Sequence, residues 1–321
     1  MTAHPHRRPW VRVARRIGFA LFLVLVAVLL VRAAQAVAWQ DVFDALRKLD
    51  RRTLALGIAL SAASYLLYTG FELAARHYAG HHVPAPRVMA IAFVAYAFSL
   101  NIGALVGGAG FRLRMYAREG VPLARTTRVI GFCVTTNWIG YIVLAGALFA
   151  AGVIAPPPTL ALPAVADGAG LRVLGIAMLL LAVAYLVACH ATHGRVYHVR
   201  GHHFRFPSPR LALLQVAMAT TNWALMGPVI ACFLPQAGGL AIIGTLLLSA
   251  VATAVLHIPA GIGVIETVFV AMLGHAAPVP AIIAALLAYR ACYYLAPLVV
   301  ATVLFAWLEL DGRRARRRAL P

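Results

Sequence analysis

Negative charge is scarce in this chain. Nine aspartates and glutamates stand against 28 lysines and arginines, a formal charge of +19, and only 12% of residues are charged. Lysine is scarcer still: Lys48 is the one lysine in the chain, a bias that reflects codon usage more than chemistry. Cysteine is limited to Cys133, Cys189, Cys232 and Cys292, all inside or at the edge of apolar stretches. None forms a CxxC pair, which argues against a disulfide framework or a zinc knuckle and leaves them as small packing residues. Catalytic signatures are missing as well: no nucleotide cradle, GxSxG elbow, HExxH or paired carboxylates. Gly107-Gly108-Ala109-Gly110 follows no strand and carries no P-loop lysine, so it does not read as a phosphate loop.

What the chain has is apolar surface. It is 63% hydrophobic, with a mean hydropathy of +0.87. Several stretches reach roughly 18 residues or more, the length that spans a bilayer. A soluble domain could not solvate that surface, so the sequence predicts an all-α polytopic membrane protein. Most arginines sit in short loops and at both ends, where they act as a topology signal and not as a nucleic-acid footprint. Arg7 to Arg16 before the run 17–31, with Ala34-Gln35-Ala36 after it, has the outline of a secretory signal. Its length, and a counterpart in the second half, favour a retained span.

Apolar segments fall near 17–34, 53–75, 88–110, 128–154, 171–190, 211–234, 239–263 and 279–308. The second four repeat the layout of the first four, 153 positions on, with Gly108/Gly261, Gly110/Gly263 and Tyr141/Tyr294 as matched identities. Arginines assign 1–16, 76–87, 111–128, 191–210 and 311–318 to the cytoplasmic side, and the Pro-rich, base-free loop 155–170 to the outside. These sides agree only if 88–110 and 239–263 each dip in and return. The expected architecture is therefore an inverted repeat of six full spans plus two re-entrant Gly-rich segments, with both termini cytoplasmic. Eight full transmembrane helices is the alternative. In domain terms this gives a basic arm 1–16, repeats over 17–154 and 171–308, the external linker 155–170 and a basic tail 309–321. Between the first two spans, Trp39, Val42, Phe43, Leu46 and Leu49 predict an amphipathic helix in the outer interface.

The two segments end in glycine-rich breaks, Asn101 to Arg112 and His257 to Glu266. Non-helical backbone at membrane depth has to be buried in protein or line a wet cavity, and matched breaks in two halves point to a transport site. The candidate substrate-binding residues are Asn101, Gly108, Gly110 and Arg112 at the first break. At the second they are His257, Pro259, Gly261, Gly263 and Glu266, with Arg290 in the following span. An arginine fork suits a lipid phosphate. Glu266 is expected to pair with Arg112, bind an amine headgroup, take up a proton or cap its helix. Glu72 is read as an i,i+4 partner of Arg76. Asn137 and Asn222, each in a Thr-Thr-Asn-Trp tetrapeptide, are read as interhelical glue or cavity lining. His190, His193, His198, His202 and His203 crowd one loop without acidic or cysteine partners, which suggests contact with anionic headgroups more than a metal site.

The Gly-rich break leading to Arg112, followed by His257-Ile258-Pro259-Ala260-Gly261-Ile262-Gly263 and Glu266, resembles the flippase-like family of the lysylphosphatidylglycerol synthase transmembrane region. The resemblance covers about 15–308, and Ala260 stands where a glycine is common. Full-length synthases of that family add a soluble aminoacyl-transferase domain, for which the residues after 308 leave no room. The resemblance thus implies the lipid-moving part alone: a bacterial inner-membrane translocase that moves a phospholipid, or a modified or lipid-linked headgroup, between leaflets without ATP hydrolysis. No cofactor or nucleic acid is expected; phospholipids are the expected partners, with a lipid-synthesis enzyme as a further one. The alternatives are a membrane-embedded lipid-modifying transferase and a non-catalytic scaffold for lipid synthesis.

Overall fold

The structure, a computed structural model, describes residues 39–153, 168–192, 195, 197–199, 202–256 and 258–318. The basic arm, the first expected span, most of the external linker, His193 and His257 lie outside these residues. Among the described residues, seven helices are long and apolar enough to cross a membrane. With the shorter elements they make an all-helical polytopic membrane protein, relieved only by one small hairpin.

A short helix, α1 (Trp39–Arg47), leads into α2 (Arg51–Ala79). Gly80, in the left-handed region at φ 68°, ends α2 and donates its N–H to the Arg76 carbonyl. Next comes α3 (Ala85–Ile102), opened by a proline in its first turn as helix starts favour. A π-helical turn over Ala104–Gly110 links it to α4 (Phe111–Arg118). Helix α5 (Leu123–Ala150) follows, then α6 (Ala169–Ala191), the antiparallel strands β1 (Tyr197–Val199) and β2 (His202–Phe204), and α7 (Pro209–Ala231). Ser208 caps α7 by accepting from the Leu211 N–H, 3.3 Å away. The chain closes with α8 (Gly239–Leu256), α9 (Val264–Leu273), α10 (Val279–Arg290), a π-helical turn over Ala291–Leu295, and α11 (Ala296–Arg318).

Two segments double back. Gly103, at φ 93° and ψ 158°, takes a conformation open in practice only to glycine and stops α3. The π turn then folds against α3 so closely that a Cβ on Gly107 would sit 2.2 Å from the Phe98 carbonyl oxygen. Phe98 and Phe111 stack at 4.1 Å across the two arms. At the open end Arg87, in the first turn of α3, meets Glu119 just past α4 at 3.7 Å. The segment therefore returns to the end from which it started. The second hairpin breaks at Pro259–Gly261, and α9 packs back along α8, with Met272 against the cluster that contains Leu247. The break of the second hairpin packs on α3, the outgoing arm of the first.

The boundaries differ from those expected. The returning arms are α4 and α9, beyond 110 and 263, so each hairpin is longer than the hydropathic segment that announced it. For α4 the reason is its composition, Phe-Arg-Leu-Arg-Met-Tyr-Ala-Arg: polar enough to read as a loop, yet its charges are paired. Arg114 and Arg118 both reach Glu309 near the end of α11, fastening the first hairpin to the last helix. Helix α1 forms as expected and packs on α10, with Leu46 against the pair Ile283 and Ala284, although Phe43 stays exposed.

Close helix approach is set by small residues. A Cβ on Gly140 would fall 2.3 Å from that of Ala219, so α5 and α7 touch backbone to backbone, as small residues permit in membrane bundles. Gly131, on the same helix, faces open space. Gly107→Ala should therefore lower thermal stability by roughly 1–3 kcal/mol or more through overpacking. Gly131→Ala should leave it unchanged or raise it by up to about 1 kcal/mol. Melting of the two purified variants in detergent checks the contrast, and equal melting would refute the tight fold-back at Gly107.

Candidate functional site

The first break is fastened by a buried ion pair. Arg112, one residue into α4, lays its guanidinium against Glu72 of α2, with Nε 3.0 Å from both carboxylate oxygens and Nη2 2.8 Å from Oε2. Its Nη1 donates to the Gly108 carbonyl inside the π turn, at 3.3 Å. Glu72 also accepts from the Tyr116 hydroxyl at 3.2 Å and the Cys133 thiol at 3.4 Å. The Arg112 and Glu72 side chains are 5% and 0% exposed. A desolvated pair persists only with further hydrogen bonds around it; here they come from the Gly108 carbonyl, Tyr116 and Cys133.

The second break is fastened in the same manner by different residues. Arg290, the last residue of α10, donates from Nε to Glu266 Oε1 at 2.8 Å and from Nη2 to Oε2 at 3.2 Å. Its Nη1 donates to the Ala260 carbonyl at 2.8 Å, and Nη2 to the Gly261 carbonyl at 3.2 Å. Glu266 closes the set by accepting from the Gly263 N–H at 2.8 Å, which caps α9. Gly261 and Gly263 have positive φ, and Ala260 shares that region at φ 56°, a conformation that costs a side-chain-bearing residue about 1–2 kcal/mol. These bonds commit four of the five guanidinium N–H groups, leaving one on Nη1. Unlike the first pair, this one is reachable: Arg290 and Glu266 are 14% and 22% exposed.

Between the two fastenings lies a buried polar hub. Ser64 of α2 donates to Asn222 Oδ1 of α7 at 2.8 Å and sits 2.7 Å from the Tyr293 hydroxyl, which meets the Tyr96 hydroxyl at 3.0 Å. Tyr65 donates to the Tyr293 carbonyl at 3.1 Å, and Asn101 Nδ2 to the Tyr294 carbonyl at 3.3 Å. The irregular turn at 291–295 thus has its carbonyls served by side chains from α2 and α3. Tyr68 stacks on Tyr96 at 3.6 Å, and Tyr289 on Tyr293 at 5.3 Å. The Arg290 guanidinium lies 5.6 Å from the Tyr294 ring.

Of the roles expected for Glu266 the structure shows the helix cap, while the ion pairs are not those expected. Arg112 does not meet Glu266; each has a nearer partner, in Glu72 and Arg290. Glu72 is not a surface partner of Arg76, because its side chain points into the bundle toward α4. With nine acidic residues in the chain, a carboxylate seven residues inside a span was the available signal. Asn101 lies at the hub and the carbonyls of Gly108, Ala260 and Gly261 at the fastenings, whereas Gly110 is exposed. Pro259 lies in the break itself; His257 is outside the described residues. Asn222 is interhelical glue as read, while Asn137 contributes its backbone carbonyl to Trp223 Nε1 at 3.1 Å. The tyrosine hub was missed, having no motif beyond the Tyr293-Tyr294 doublet.

Relatives match the chain in sequence over most of its length. The inner membrane protein YbhN of Escherichia coli (strain K12) is 39% identical over 318 residues, 98% of each chain. The uncharacterized protein slr0712 of Synechocystis sp. is 28% identical over 286 residues, 87% of each. The model of the lysylphosphatidylglycerol synthase transmembrane region matches residues 17–301, which include both hairpins, the hub and both ion pairs. The chain belongs to the family of the lysylphosphatidylglycerol synthase transmembrane region.

Proposed function

We propose that the chain is a lipid translocase that takes the phosphate-bearing headgroup of a phospholipid at Arg290 and carries it between leaflets without ATP hydrolysis or covalent chemistry. One observation carries this reading: Arg290 holds a carboxylate and two carbonyls of the second break yet stays partly exposed. A phosphate oxygen arriving there competes with Glu266 for the guanidinium, since both are planar or tetrahedral oxyanions suited to the same fork. Exchange frees Glu266, and with it the Gly263 cap and the hold on the Ala260 and Gly261 carbonyls. Substrate arrival is thereby coupled to unfastening of the second break from α10. The shielded pair Arg112–Glu72 keeps the first hairpin fixed meanwhile. In this reading the basic end faces the cytoplasm, both termini lie there, and the bilayer is the bacterial inner membrane. Phospholipid is the partner at the site, and an enzyme of lipid synthesis is the natural supplier of its substrate.

The test is leaflet exchange of fluorescent phospholipid in proteoliposomes, read by dithionite quenching. Losing one charge-assisted hydrogen bond is worth about 1.5–3 kcal/mol, so Glu266→Gln and Arg290→Lys should each slow exchange by roughly ten-fold or more. Both should retain the wild-type helical content. Exchange at the wild-type rate in both variants would remove this pair from the pathway.

The other pair should answer differently. Glu72→Gln or Arg112→Met strands a buried charge or its partner, and should cost roughly 3–5 kcal/mol of stability. Replacing both together, Glu72→Met with Arg112→Met, should cost less than either single change. Detergent melting curves for the three proteins decide the point, and a double variant less stable than both singles would contradict it.

A further inference from the structure

At the end of α2 the chain makes a cavity flanked by basic side chains that neither fastening uses. It measures about 300 Å³, the lower bound of ordinary ligand pockets, and is lined by Leu73, Arg76, His77, Gly80, His81 and His82. Gly80, in the left-handed turn that ends α2, borders it. The same turn tucks His81 under the bundle, edge-on to the Tyr116 ring at 5.1 Å. Its side chain is almost wholly enclosed, the residue being 5% exposed, yet neither Nδ1 nor Nε2 has a hydrogen-bond partner. A buried polar atom left unmet costs about 1–3 kcal/mol, so this ring calls for a polar guest.

The charge around the cavity selects the sign of that guest. Arg76, His77 and His82 line it, and Arg125 from the start of α5 adds to the field at His81. The one carboxylate that acts on His81 is Glu72, already saturated by Arg112, Tyr116 and Cys133. Among the described residues no carboxylate forms an ion pair with Arg76. Burial, and then Arg76, hold the His81 imidazole below its usual pKa, so at neutral pH the ring is uncharged and presents one N–H donor. A guanidinium, two flanking imidazoles and an enclosed N–H donor form the donor set of an oxyanion site.

We propose that this cavity binds a phosphate group at the basic face, held by Arg76 and the His81 ring N–H, separately from the Arg290 site. The group is either the headgroup of an anionic lipid in the adjoining leaflet or free phosphate. Basic pockets beside membrane helices suit the former.

The experiment is a titration of detergent-solubilised full-length protein labelled with ¹³C-histidine, following the His81 ring signal. That signal is assigned by its loss in His81→Phe, which keeps an aromatic ring against Tyr116. Dihexanoyl phosphatidic acid should shift the signal saturably, and dihexanoylglycerol, which lacks the phosphate, should not. In Arg76→Gln the half-saturation concentration should rise by roughly ten-fold, the effect of one charge-assisted bond. Arg290→Lys should leave it unchanged, which separates this site from the central one whether or not that one moves lipid. A shift with inorganic phosphate at the same concentrations identifies free phosphate as sufficient; a shift with the lipid alone identifies the headgroup. No saturable shift with either probe, an equal shift with dihexanoylglycerol, or an unchanged half-saturation in Arg76→Gln would overturn the proposal.

Discussion

Backbone carbonyls that leave a helix inside a membrane have no water to meet them, and this protein meets them with side chains brought from other elements. Gly108 is served by Arg112, Ala260 and Gly261 by Arg290, Tyr293 by Tyr65, and Tyr294 by Asn101. Each unmet group would cost several kcal/mol in hydrocarbon. Arginine suits the two glycine-rich breaks because one guanidinium reaches a carbonyl and a carboxylate together and stays charged when buried. The carboxylate is needed in turn, because the cation could not remain in the interior alone. Two irregular hairpins are thus affordable only where an arginine and an acid come with them.

The halves solve this problem asymmetrically. Arg112 sits on the hairpin and finds its acid on the span before it, whereas Glu266 sits on the hairpin and finds its arginine on the span after. The repeat equivalent of Arg290, 153 positions earlier, is Asn137, which contributes a carbonyl and no charge. The two breaks are thus held by one shielded ion pair and one that is partly exposed.

The class, the helices and the two breaks were legible in the sequence, because bilayer length and glycine placement are local properties. Gly103 and Gly261, both at positive φ, fall inside the two glycine-rich stretches that the sequence marks as breaks. The return arm α4 was not legible: its arginines are what a loop carries, and only the positions of Glu72 and Glu309 show that they are neutralised. Pairing failed for the same reason. Glu72 has Arg76 four residues away on its own helix, and choosing Arg112 instead depends on which way α2 faces in the bundle. The tyrosine hub gathers residues from α2, α3, α10 and the turn after α10, so no window of sequence contains it.

The last span connects these parts in a way that bears on motion. Its first portion, α10, is bound to the second hairpin through Arg290, and its final portion, α11, to the first hairpin through Glu309. One continuous chain thus holds both hairpins, and residues 291–295 separate the two attachments. Their π-helical bonding is a register in which a helix can gain or lose one residue per turn. If the hairpins shift against each other, the strain converges on those five residues. Tyr293 and Tyr294, whose carbonyls are held by Tyr65 of α2 and Asn101 of α3, tie those five residues to the rest of the bundle.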